Sequence, residues 1–136
     1  MTIKPEDLDG KYEIRSETSD GGPYLINGDG VTEVKEGRTY RKDKNGYIWE
    51  SRFKITGKDR IALESTCDPS LADEDLYIKD NKNNLTREKV TYKGDLVART
   101  EFGRLVLRGE IRHGVVTTRI TMTKIVPGKE AREGQR

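Results

Sequence analysis

One histidine and one cysteine limit the chemistry this chain could do. A Ser-His-Asp arrangement would have to use His113, which the sequence places at the tip of a tight His113-Gly114 turn, exposed and away from any cleft. A thiolate nucleophile would have to be Cys67, and no base can be set beside it. The single cysteine excludes an intrachain disulfide and a four-cysteine zinc site, and the single histidine excludes the two-histidine zinc motifs. Glu50 and Glu64 fall on a solvated strand face, which does not suit general acid–base work. No catalytic residue, metal site or cofactor is read from the sequence, so a non-enzymatic binding or interaction module is expected.

Three constellations could serve binding. Tyr12, Tyr40, Tyr47, Trp49 and Phe53 are aromatic residues that could line a pocket for a small apolar or amphipathic ligand inside a small barrel, or simply fill it. Arg104, Arg108, Arg112 and Arg119 share an outer sheet face, and strand pairing through a His113-Gly114 turn sets Arg108 opposite Arg119. Like charges directly opposite one another are destabilising unless an anion or a partner's carboxylates offset them, or Glu101 and Glu110 on the same face neutralise them. Asp73, Glu74 and Asp75 form an acidic loop that could contact a partner, although its spacing is not that of a calcium-binding loop.

These residues need a scaffold, and composition says which kind. The 136 residues carry 26 Lys and Arg against 24 Asp and Glu, a net charge of +2. Val, Ile, Leu and Phe make up 29 of them, just above the roughly 20% below which a highly charged chain stays disordered. The core must therefore be thin. No apolar run exceeds three residues, so no membrane span is expected, and Met1–Asp7 has no apolar leader, so a cytoplasmic protein is expected. The balanced charge sets nucleic acid aside as a partner. A protein partner or a small apolar ligand remains, and oligomers are allowed for.

Frequent glycine, scarce alanine and recurrent turn residues favour short strands over helices. In 47–55, Tyr47, Trp49, Phe53 and Ile55 alternate with Glu50, Arg52 and Lys54, as in a half-buried strand. A turn at 57–59 then predicts Ile55 opposite Ile61, Phe53 opposite Leu63 and Arg52 opposite Glu64. A two-residue Phe102-Gly103 turn predicts Ala98 opposite Leu107, and the His113-Gly114 turn predicts Leu107 opposite Ile120 and Leu105 opposite Met122. With shorter strands at 11–17, 24–26, 31–35, 38–42, 76–79 and 85–93, the chain reads as an all-β antiparallel meander of about ten strands. Closure into a small lipocalin-like β-barrel over 1–126 is expected, with a two-sheet β-sandwich as the alternative. Residues 127–136, charged and without a large apolar side chain, read as a disordered tail.

Leu8-Asp9-Gly10-Lys11-Tyr12 resembles the Gly-x-Trp opening of the calycins, the group of lipocalins and intracellular fatty-acid-binding proteins. Gly114–Ile120 is similar to the last strand of the intracellular lipid carriers. The resemblance implies a barrel. It does not carry over the ligand site, because the glycine-rich 18–30 segment replaces the carriers' helix pair, Thr121 stands at their tyrosine position and Arg119 faces outward. The alternatives to a binding module are a structural or assembly protein, homo-oligomeric or of virion type, and then an enzyme of unknown reaction.

Overall fold

The computed structural model describes residues 2–126. A short helix α1 (Pro5–Leu8) precedes β1 (Gly10–Ser19), β2 (Leu25–Val34), β3 (Arg38–Lys42), β4 (Ile48–Ile55) and β5 (Arg60–Asp68). Two short strands, β6 (Ile78–Lys79) and β7 (Leu85–Thr86), form a separate hairpin. Three long strands complete the chain: β8 (Val90–Glu101), β9 (Arg104–His113) and β10 (Val116–Lys124). The expected segments 24–26 and 31–35 are one continuous strand, and 85–93 is divided between β7 and β8. The tail expected at 127–136 lies outside the described residues. Among the described residues, no helix is long and apolar enough to cross a membrane.

Eight strands form one antiparallel sheet in the order β2-β1-β10-β9-β8-β5-β4-β3, curled through 204°. The fold is therefore all-β, as expected, but the barrel is open. Its two edges, β2 and β3, are consecutive in the chain and joined by a tight turn, where Lys35 and Arg38 form a single bridge before the strands part. Glu36 and Gly37 both have positive φ (52° and 72°), the geometry of a type I′ turn that suits the twist of a hairpin. The Asp9 carboxylate accepts both of their backbone N–H groups, at 3.0 and 3.1 Å, and so fastens the seam at this end.

The pairings of β4 with β5 and of β8 with β9 are those the sequence predicts, including Phe53 opposite Leu63 and Ala98 opposite Leu107. The pairing of β9 with β10 differs by two residues: His113 itself pairs with Val116, and Leu107 meets Met122. Gly114 has φ of 60°, so it is the first central residue of the turn, the place where a type II′ turn requires glycine. A shift of two keeps every side chain on its expected face. It does change which outer residues meet.

One end of the barrel is sealed. Leu8 and Tyr12 are buried with Ile61, Leu96 and Leu107, each worth about 1.5–3 kcal/mol when removed from water. The Tyr12 hydroxyl donates to the Leu8 carbonyl at 2.6 Å, which satisfies the one polar atom that this burial would otherwise strand. Ile3 is clamped beside them, its N–H donating to the Lys58 carbonyl at 2.8 Å.

Between β8 and β9 the backbones approach too closely for side chains. A Cβ added at Gly109 would lie 1.8 Å from the Asp95 carbonyl oxygen, and one at Gly94 would lie 2.2 Å from that of Glu110. Glycine here permits the sharp bend that a small barrel wall needs. Gly109→Ala should cost about 2 kcal/mol or more in urea unfolding, whereas Gly22→Ala, where only Asp20 Oδ1 comes as near as 4.0 Å, should stay within about 0.5 kcal/mol. Equal effects at the two sites would show that the close approach is not a constraint.

Candidate functional site

Along each strand the inward positions change character from the sealed end to the open end. On β1 they run Tyr12, Ile14, Ser16, Thr18, and on β5 Ile61, Leu63, Ser65. On β10 they run, in the same direction, Met122, Ile120, Thr118. The interior therefore has an apolar floor and a band of hydroxyls above it. Some of these hydroxyls satisfy one another: Ser51 with Ser65 at 2.7 Å and Thr18 with Thr118 at 3.2 Å.

Above the floor the barrel is hollow. A cavity of about 380 Å³ reaches from Phe53, Leu63 and Ile120 up to Arg41, Lys79 and His113, and it extends to both edges of the seam through Thr32 and Thr39. The β6–β7 hairpin lies over the mouth. It is held there by the Tyr92 hydroxyl, which donates to the Lys79 carbonyl at 2.5 Å, and by the Tyr47 hydroxyl, which donates to that of Tyr77 at 3.2 Å. Burial, followed by the nearby Cys67 and Asp80, pushes the Tyr92 phenol up to about 12, so it stays a donor.

The expected aromatic set divides. Trp49 and Phe53 line the cavity, and the Trp49 indole N–H is oriented by the Asp43 carboxylate at 3.1 Å. Tyr12 belongs to the floor, whereas Tyr47 packs against the core from the mouth end, where it holds the hairpin. Tyr40 is 67% exposed on the outside, since it alternates along β3 with Thr39 and Arg41, which take the inward positions. Tyr92 is the aromatic that the sequence reading missed, although its place in the alternation Val90, Tyr92, Leu96 on β8 marks it as inward.

His113 corrects an expectation. It does not sit exposed at a turn tip but ends β9, half-buried against the cavity, its ring 4.6 Å from that of Tyr92. Its Nδ1 is buried and has no hydrogen-bond partner. Desolvation, then the neighbouring Lys79 charge, hold its pKa below the ordinary 6.5. Cys67 is fully buried in the core, and burial pushes its thiol up to about 12, far from thiolate chemistry. Glu50 and Glu64 are exposed on the outer face, as expected.

The arginine group lacks the conflict that the sequence predicts. Through the two-residue register change, Arg119 stands opposite Glu110, and Arg108 opposite Thr121. Arg108 instead makes a two-pronged contact with Glu101 and holds that carboxyl below its ordinary range. Arg104 also stands opposite Glu101, Arg112 is 3.6 Å from Glu110, and the Arg119 guanidinium lies 3.4 Å from the centre of the Tyr24 ring. Asp73, Glu74 and Asp75 are exposed, and their loop is held through its backbone: Arg87 donates to the carbonyls of Asp73 and Leu76, both at 2.6 Å, and of Ala72 at 3.2 Å. Among the described residues no three His, Cys, Asp or Glu side chains converge to hold a metal ion.

No protein family, curated protein or solved structure matches the chain.

The His113 environment has a measurable consequence. Because its folded pKa lies below the unfolded value of 6.5, the stability it contributes is present above pH 6.5 and is lost as pH falls through the folded value. Between about pH 7.5 and about pH 5.5, above the main carboxylate range, the urea midpoint of the protein should fall by more than that of His113→Gln. An equal fall in both would mean that the imidazole is freely hydrated.

Proposed function

We propose that the protein is a non-enzymatic binding module that takes a small amphipathic molecule into its open barrel. The observation that carries this is the cavity itself. Its volume of about 380 Å³ falls within the roughly 300–1,000 Å³ of small-molecule sites. Apolar walls below and polar groups above match a molecule with one apolar and one polar end. The open seam and the mouth under the β6–β7 hairpin supply routes of entry. Covalent chemistry has little support, since the Cys67 thiol is buried and its pKa raised, and the Tyr12 hydroxyl in the floor is buried and bonded to the Leu8 carbonyl. A calycin-type resemblance is in keeping with this use of a barrel and bears on architecture alone.

A second observation favours self-assembly as the alternative. The edge strand β2 leaves Leu25, Ile26 and Val31 71%, 62% and 58% exposed beside unpaired backbone groups, which could pair with a second copy. The mass of the native particle separates a monomeric carrier from such an assembly.

The neutral probe N-phenyl-1-naphthylamine should bind saturably, brightening as it quenches Trp49 by energy transfer. Thr118→Phe, which puts a ring into the cavity, should weaken that binding about tenfold or more while leaving the far-ultraviolet circular dichroism unchanged. Absence of saturable binding, or equal binding by the filled variant, would remove the proposal.

A further inference from the structure

We propose that the molecule held in the cavity carries an anionic head group, which lies at the mouth between Arg41, Lys79 and His113 while its apolar tail occupies the floor. The inference rests on the binding-module reading and specifies its ligand class. Three basic side chains line the upper part of one cavity, and among the described residues no acidic side chain lines it. They come from different elements, β3, β6 and β9, so the fold, and not a local run of charge, brings them to one place.

Aromatic rings connect these positions. Arg41 stands directly opposite Trp49 across β3 and β4, the Trp49 and Tyr92 ring centres are 6.3 Å apart, and those of Tyr92 and His113 are 4.6 Å apart. The Lys79 backbone is fixed beside Tyr92 by the bond from the Tyr92 hydroxyl to its carbonyl, and its charge is felt by His113. An amphiphile entering here would meet apolar ring faces with cationic donors at their margin.

Of the nearby acids, Asp43 has both carboxylate oxygens occupied by N–H donors, those of Asn45, Tyr47 and the Trp49 indole. Asp68 accepts through Oδ1 from Ser70, and Asp80 through Oδ1 from Lys82 and Asn84. No ion pair joins any of them to Arg41 or Lys79 among the described residues. Both cations reach solvent at the rim, where their apolar stems can border the cavity while their heads remain wet until a ligand arrives. The buried, unpartnered His113 Nδ1 is the second, independent sign. A polar atom withdrawn from water without a partner is costly, and a rotation of the imidazole toward the cavity would let a head-group oxygen accept from it.

A carboxylate is the simplest such head, and three ten-carbon probes test the charge directly. Decanoate, 1-decanol and decyltrimethylammonium, each below its aggregation limit, are titrated into the full chain by calorimetry at low salt. Decanoate should bind about tenfold more tightly than decanol, the gain expected of charge-assisted contacts, and decyltrimethylammonium more weakly than decanol. Arg41→Gln with Lys79→Gln should lower decanoate to the affinity of decanol, while Arg52→Gln with Lys54→Gln, on the outer face of β4, should leave decanoate binding as it was. Equal affinity for all three probes overturns this inference and leaves the binding module standing. Failure of all three to bind overturns both.

Discussion

Burial of Leu8, Tyr12, Ile61, Leu96 and Leu107 at one end of the barrel is the interaction on which the other features depend. A chain with so few large apolar residues cannot fill a barrel from end to end. It concentrates them where α1, β1 and the starts of β5 and β9 converge, and the Tyr12–Leu8 hydrogen bond makes that burial complete. Once this end is fixed, the eight strands leave it in register and the upper half needs only to remain hydrogen-bonded. Serine and threonine on the inward positions suit that role, because they can satisfy one another across strands without collapsing to a dry core.

The same economy produces the seam. Asp9, directly after the floor helix, secures the β2–β3 turn, and the two edge strands part beyond it. An opening placed between a dry floor and a polar upper wall gives the interior a direction, from apolar to polar to cationic. The β6–β7 hairpin completes the mouth, held by tyrosine hydroxyls donated from the barrel wall and by Arg87 gripping the loop before it. These contacts are few and peripheral, so this region is the natural place for local opening that leaves the floor undisturbed.

Much of this architecture was legible because period-two alternation is a direct consequence of the strand pleat. Ile55, Phe53 and Trp49 declare their face without help from tertiary structure, and the Phe102-Gly103 turn fixes the β8–β9 register outright. The β9–β10 register was not legible to the same degree, because His113-Gly114 and Gly114-Val115 both permit a two-residue turn and preserve the same faces. That ambiguity put Arg108 against Arg119, which the structure does not show, and hid His113, whose inward position makes it part of the cavity. Tyr40 failed for a different reason: an isolated aromatic on a five-residue edge strand carries too short a pattern to reveal its side. Arg41 and Lys79 could not have been found from the sequence at all, since their meeting depends on how far the sheet curls and on where the β6–β7 hairpin folds back.

The claim that the barrel is hollow above a sealed apolar floor is tested most directly by methyl NMR during titration with 1-decanol. Its chemical-shift changes and intermolecular contacts should fall on the methyl groups of Ile14, Leu63, Ile111, Ile120 and Met122, and should spare Leu25, Ile26 and Val31 on the exposed edge. Contacts confined to the β2 edge, or no contacts with the interior methyls at saturation, would contradict it.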